Sequence, residues 1–252
     1  MSIYKKKRLD QLLVDRGFAP TRSRAADLVR RRLVSVAGVT ASKPGALVAA
    51  DTELRLSPGA GRYVSRGGEK LEAALDAFSF DPEGRVALDI GASTGGFSDV
   101  LIARGAAKIY AVDVGTGQLD AKLRANPKVV ALEATDARAL DRRLVGEEIT
   151  AIVADVSFIS LTLALPAALS LAAPGAWLVA LIKPQFEAGR AAVGKGGIVR
   201  SETERKKAVE KVRAFTKEAG WAVVGVIVSP LLGGSGNEEF LLGARLGARD
   251  GT

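Results

Sequence analysis

One stretch constrains the fold more than any other: Val86-Ala87-Leu88-Asp89-Ile90-Gly91-Ala92-Ser93-Thr94-Gly95-Gly96-Phe97, an apolar run that meets an acid and then turns through small residues. It predicts a buried strand, a tight loop and the start of a helix, the opening of an α/β fold with a parallel sheet. Glycine reaches φ > 0 without a Cβ penalty, so it serves where the chain turns sharply or must approach a ligand. Ligands of such sheets bind beyond the carboxyl ends of the strands, which puts a nucleotide-like molecule on this loop.

The loop discriminates between ligands. A triphosphate loop needs Lys-Ser or Lys-Thr after its last glycine, and none follows here. A dinucleotide fingerprint needs glycine where Ser93 stands, because a pyrophosphate must approach the backbone there. Asp89 at the strand tip repels phosphate but can face a cation. The pattern D-x-G-x-x-x-G-G therefore points to S-adenosylmethionine, with Asp89, Gly91, Ser93, Gly95, Gly96 and Phe97 as candidate cofactor contacts. An ordinary strand-to-helix turn is the competing reading.

The 252 residues are 48% hydrophobic, enough for one or two domains with a sizeable core. The net charge of +8 is concentrated in the first third and around residues 195–211, which suggests a polyanionic partner over an inert basic face. The chain has no His and no Cys, which excludes a disulfide frame, a Cys/His zinc site, a histidine base and a thiol nucleophile. Methylation of pyrimidine C5 through a cysteine adduct is excluded with them. Proton transfer falls to Lys, Asp, Glu or Tyr, and no metal site is expected. Residues 1–10 are basic without a following apolar core, so no secretory signal and a cytoplasmic location are expected. Residues 156–182 carry no charge, but Pro166 and Pro174-Gly175 interrupt them. They predict a buried helix, a turn and a buried strand, not a membrane span.

Residues 8–57 read as a first unit: a short helix over 8–17 closed by Gly17, an arginine-rich helix over 21–32, and short β runs at 33–36, 46–48 and 53–56. Arg8-Leu9-Asp10, Leu13-Val14, Arg16-Gly17, Ser23-Arg24, Ala26, Leu28-Val29, Val34-Ser35-Val36, Gly38 and Lys43-Pro44 resemble the alpha-L, or S-four-type, RNA-binding motif. That resemblance implies a small α+β domain whose second helix meets RNA, with Arg8, Arg22, Arg24, Arg30, Arg31 and Lys43 as contacts. Arg32 stands where these domains commonly have glycine, so the turn there is expected to be built differently. We place this domain at 1–59, a linker at 60–66 and the sheet domain at 67–252.

In the sheet domain, strands are expected at 86–90, 108–112, 129–132, 149–154 and 176–182, then a helix over 202–219 and strands at 221–228 and 239–246. Asp113 closes the second strand about 20 residues past the loop, where an acid takes ribose hydroxyls. Asp136 follows the third strand and either faces the adenine amine or caps a helix. Asp155 ends the fourth after an apolar run. Lys183 ends the fifth, and partial desolvation there favours a neutral amine able to accept a proton. The basic stretch around Arg190 and Lys195 forms a loop able to meet RNA, as does Arg66 ahead of the first sheet-domain helix.

Lys70, Asp155, Lys183 and a late glutamate resemble the K-D-K-E tetrad of FtsJ-like RNA 2′-O-ribose methyltransferases. With Tyr63-Val64-Ser65-Arg66-Gly67-Gly68, Gly95-Gly96-Phe97, Asp155-Val156-Ser157-Phe158-Ile159-Ser160 and Ile182-Lys183-Pro184-Gln185-Phe186-Glu187, nearly the whole chain is similar to the TlyA family, whose members are often named haemolysins. The resemblance implies a Rossmann-like, mostly parallel seven-stranded methyltransferase sheet and S-adenosylmethionine as cofactor. It also implies in-line methylation of cytidine 2′-hydroxyls in ribosomal RNA of the large subunit and, for some members, also of the small subunit, and Glu239 as the fourth tetrad member. Asp136 in place of the family's usual Asn and Thr116 in place of its Tyr bear on cofactor contacts. Two other readings are a membrane-active haemolysin and an inactive RNA-binding assembly factor; dye leakage from liposomes tests the first, cofactor binding without turnover the second.

Overall fold

The computed structural model of the protein describes residues 6–247, and the chain divides into two compact units between Ser65 and Arg66. The first holds strand β1 (Lys6–Arg8), helices α1 (Leu9–Asp15) and α2 (Arg22–Arg30), and strands β2 (Val34–Val36), β3 (Val39–Thr40), β4 (Leu47–Ala49) and β5 (Leu54–Leu56). β1 pairs antiparallel with β4, while β2 lies between β3 and β5. Leu9 and Leu13 of α1 close against Leu28 and Val29 of α2 and Val34 in a small core of their own. The Thr21 hydroxyl caps α2 by accepting from the Arg24 N–H at 3.2 Å. Arg8 ends strand β1 and is at once the N-cap residue of α1, whose first residues Leu9 and Asp10 donate their N–H groups across to Ala46 and Pro44. Arg32 takes φ 59°, so the turn after α2 keeps the left-handed form that glycine favours even though an arginine makes it.

The second unit runs α3 (Gly67–Phe78), β6 (Val86–Ile90), α4 (Gly96–Ala103), β7 (Lys108–Val112), α5 (Ala121–Arg124), β8 (Val129–Leu132), β9 (Ile149–Ala154), α6 (Leu161–Ala164), α7 (Pro166–Ser170), β10 (Ala172–Ile182), α8 (Pro184–Glu187), α9 (Glu202–Glu218), β11 (Trp221–Val228) and β12 (Phe240–Leu246). Its seven strands are ordered β11-β12-β10-β9-β6-β7-β8. β12 is antiparallel to both neighbours, and the pairs from β10 to β8 are parallel. Leu88, Ile152 and Leu178 are fully buried at the centre, as a sheet covered on both faces demands.

The segment before β10 departs from the sequence reading. Its helix breaks at Pro166 into α6 and α7, and Pro174-Gly175 lies inside the strand, where the pairing with β9 shifts register between Ala172 and Trp177. A proline fits a strand at such an irregularity because no ladder N–H is required of it.

Two features of this fold position a site. The chain steps outward from β6 to β8 and then returns to β9, so the loops after β6 and β9 diverge and leave a crevice between them. At the other end of the sheet, Gly243 has no side chain and the Phe78 ring fills the space, 2.5 Å from where a Cβ would stand. Helix α3 thereby packs directly on β12.

Candidate active site

The loops that follow β6, β7, β8 and β9 enclose a cavity of about 470 Å³, within the roughly 300–1,000 Å³ of small-molecule sites. Gly91 and Ser93, Asp113 and Val114, Asp136, and Asp155 and Val156 line it from the four strands in turn. Gly91 has φ 81°, and a Cβ there would lie 2.6 Å from the Asp155 carbonyl oxygen, so only glycine lets these two loops pass. Gly91→Ala is expected to cost roughly 1–3 kcal/mol in backbone strain alone, and more as the loops part, read as a lower unfolding midpoint together with weaker cofactor binding in calorimetry.

Asp113 ties the cavity wall together. Its Oδ2 accepts from the Ser93 N–H and its Oδ1 from the Gly115 N–H, both at 2.8 Å, and each oxygen keeps a second lone pair. The Ser93 hydroxyl donates to Gln118 Oε1 at 3.3 Å. Asp136 caps the short turn 137–139 by accepting from the Arg138 N–H at 2.9 Å, and it pairs with the Arg138 guanidinium at 2.6 Å. That pairing and the cap hold its carboxyl at about 2. It therefore acts as a cap while lining the cavity. Gln118, Thr135 and Arg138 line the cavity too; no motif in the sequence marks them.

Asp89, Gly95, Gly96 and Phe97 are buried and do not line this cavity. Gly95 permits close packing, since a Cβ there would meet Leu123 at 2.2 Å. Asp89 Oδ2 accepts from the Ser98 hydroxyl at 2.6 Å, and Oδ1 is buried without a partner. Burial pushes its carboxyl up to about 7, against the Ser98 hydrogen bond and with the nearby Asp155 and Asp113 charges adding to the rise. Below the ordinary value of 3.8 both folded and unfolded forms hold this proton; above it the unfolded carboxyl ionises first. Its stabilising contribution is thus full in acid and is lost as pH rises through about 7. Asp89→Asn is expected to remove that slope, so the unfolding midpoints at pH 5 and pH 8 draw closer than in the parent protein.

Beside the cavity stand two cation–carboxylate pairs. Ala154 of β9 pairs with Ala180 of β10, and Ile182 with Phe240 of β12, so Asp155, Lys183 and Glu239 leave the same edge of the sheet. The Lys183 ammonium lies 2.7 Å from Asp155 Oδ1, off the hydrogen-bond direction, and donates to the Ser157 hydroxyl at 2.8 Å. Lys70 reaches across from α3 and donates to Glu239 Oε2 at 2.5 Å, with both side chains buried. Sequence reasoning missed Ser157. Asn237 is also buried: it accepts from the Val199 N–H at 2.9 Å and donates to the Gly197 carbonyl at 2.8 Å, fastening the glycine-rich segment next to Glu239.

In the first unit Asp10 gathers two of the predicted RNA contacts. Arg8 donates to it twice, at 3.0 and 2.7 Å, and Arg22 once at 3.3 Å; the Arg8 hydrogen bonds lead in holding its carboxyl at about 2. Arg24 is half-buried, bonded to Asp27 and the Tyr63 carbonyl, and Arg31 also pairs with Asp27. Arg30 and Lys43 are exposed. In the second unit Arg66 is half-buried just ahead of α3 and Arg190 is exposed. Among the described residues no group of three or more acids could hold a metal ion, and no helix is long and apolar enough to cross a membrane.

Comparison with known proteins shows the family of each unit. Residues 63–246 match the FtsJ-like methyltransferase family and residues 7–54 the S4 domain. A Mycobacterium tuberculosis relative, 46% identical over 96% of this chain and 90% of its own length, is named 16S/23S rRNA (cytidine-2′-O)-methyltransferase TlyA. Hemolysin A of Brachyspira hyodysenteriae is 39% identical, with 93% of this chain and 98% of that protein covered. A solved Streptococcus thermophilus structure that carries the name hemolysin is 43% identical, covers 97% of this chain and 90% of that one, and superposes with a TM-score of 0.76.

Proposed function

Because the chain belongs to the TlyA group of FtsJ-like methyltransferases and carries an S4 domain ahead of its methyltransferase sheet, we propose that it methylates cytidine 2′-hydroxyls of ribosomal RNA in the large subunit, with the small subunit as a second candidate substrate. The observation that carries this reading is the placement of Lys183, paired with Asp155 and Ser157 at the tip of β10, on the sheet edge that also bears Glu239, to which Lys70 donates from α3.

The donor set of the cavity suits S-adenosylmethionine. Asp113, Asp136 and Asp155 favour cationic and hydroxyl groups and disfavour phosphate, while Val114, Val156 and Ile159 offer apolar surface for a nucleoside. That cofactor, when bound, would supply a sulfonium methyl group for in-line transfer to the 2′-oxygen, with the neutral thioether as leaving group. Lys183 acts as the neutral amine, its ammonium having first given a proton to solvent. It then takes the 2′-hydroxyl proton as that oxygen becomes nucleophilic, and Asp155 stabilises the ammonium that re-forms. Lys70 and Glu239 orient the ribose, and positioning accounts for much of the acceleration. Residues 1–59 read the RNA, with Arg8, Arg22, Arg30 and Lys43 at its backbone, and residues 67–252 carry the chemistry, with Arg66 and Arg190 as further RNA contacts. The segment 60–66 joins them.

The test is transfer of labelled methyl from S-adenosylmethionine to purified, unmodified large and small subunits, followed by nucleoside analysis. Label recovered as 2′-O-methylcytidine is the expected result. Label on neither subunit would overturn the ribosomal assignment.

A further inference from the structure

Resting on that functional reading, we propose that Glu187 is a positioning residue that sets the geometry of Lys183 against Asp155 and Ser157. Glu187 ends α8, one helical turn after Lys183, and its side chain is only 1% exposed. A carboxylate so buried needs compensation for each oxygen. Oε1 accepts from the Leu161 N–H at 2.7 Å. Oε2 accepts from the Ser160 hydroxyl at 2.5 Å and from the Lys211 ammonium at 3.1 Å. Lys211 also donates to the Glu187 carbonyl oxygen at 3.2 Å, which anchors the end of α8 to α9.

These bonds join two catalytic segments. Ser160 and Leu161 close the loop that begins with Asp155 and carries Ser157, and Ser160 is the N-cap of α6. Lys183 is the N-cap residue of α8, with its carbonyl accepting from the Phe186 N–H at 2.9 Å. The β9–β10 ladder ends at the Ala154–Ala180 pair, short of both catalytic side chains. Past that point, the Glu187 carboxylate spans from the end of one segment to the end of the other. The Lys183–Ser157 and Lys183–Asp155 contacts form between these two anchored segments. Lys211 fixes the carboxylate from behind, so the clamp does not depend on bound RNA or cofactor.

Glu187→Ala is expected to lower the single-turnover rate by roughly 100-fold, the cost of misplacing a reacting group by about an ångström. The half-saturating concentrations of cofactor and ribosomal subunit should stay unchanged. Glu187→Gln retains a carbonyl oxygen for the Leu161 N–H but sets an amide NH2 group where Oε2 accepts from Ser160 and Lys211, and should restore part of the rate. Should Glu187→Ala not fold, Ser160→Ala cuts the same link from the loop side and is expected to give a smaller fall with the same unchanged half-saturation. A rate within error of the parent in every folded variant, or a loss that appears only as weaker cofactor binding, overturns the proposal. A crystal structure of the variant judges it independently of activity: a Lys183–Ser157 hydrogen bond kept in place overturns it, and a displaced loop supports it. If the parent protein methylates neither subunit, the functional reading falls while this structural outcome still decides the role of Glu187.

Discussion

Lys183→Ala is expected to reduce single-turnover methyl transfer by roughly 10²–10⁴-fold, the range for removing a general base, while cofactor affinity holds. The side chain caps no helix through hydrogen bonds and lines no part of the cavity beyond β6 to β9. Its side chain is 12% exposed and that of Asp155 25%, so water reaches the carboxylate left behind. The stability loss should therefore stay below the roughly 3–5 kcal/mol of breaking a fully buried pair. Lys183→Arg separates two roles that alanine confounds. The guanidinium keeps the positive charge beside Asp155 but accepts no proton. An inactive, folded Lys183→Arg supports proton transfer by the lysine; an active one reduces its part to electrostatics and overturns the base assignment. Rates measured on rapidly mixed cofactor and subunits, with folding checked by circular dichroism, decide between them.

Much of this arrangement can be read before any coordinates, and the reason is local. β6 to β9 are short apolar runs bounded by turn residues or acids, and their limits follow from that punctuation alone. β10 hides its first residues because a proline and a glycine look like a break, and only its partner β9 supplies the register irregularity that accommodates them. β1 is three residues long and pairs with a strand far along the chain, so no periodicity announces it. Side-chain roles are less legible than strands. Asp89 and Asp155 both end apolar runs, yet Asp155 lines the cavity whereas Asp89 turns beneath the loop to meet Ser98 on the first turn of α4. The direction of a strand-tip carboxylate depends on what packs over it, and a linear pattern does not contain that. Ser157, Gln118 and Glu187 gain their roles in the same way, from partners that the fold brings up.

Glu239→Ala is expected to destabilise the sheet domain by roughly 3–5 kcal/mol, the cost of leaving a buried charge without its partner, and to abolish methyl transfer at the same time. Lys70 and Glu239 are 10% and 3% exposed, and water cannot replace either partner. The site cannot open easily, because the Phe78 ring pressed on Gly243 fixes α3 against β12, and Glu239 Oε1 fills the space at Gly233, 2.3 Å from where a Cβ would stand. Lys70→Met should therefore be about as damaging as Glu239→Ala. Combining Lys70→Met with Glu239→Met replaces both charges with flexible apolar chains and should recover most of the stability, since a buried ion pair gains little over apolar packing of similar volume. Activity should not return with it. Urea denaturation of the parent, the two single variants and the double variant gives the coupling energy directly. A double variant as unstable as the sum of the singles would mean that the pair is not energetically coupled. A double variant that regains both stability and methyl transfer would remove these two residues from the chemistry and leave them as packing between α3 and β12. Stability regained without activity is the expected outcome, because a buried ion pair gains little in folding over apolar packing, and the proposed role of these two residues is to orient the ribose.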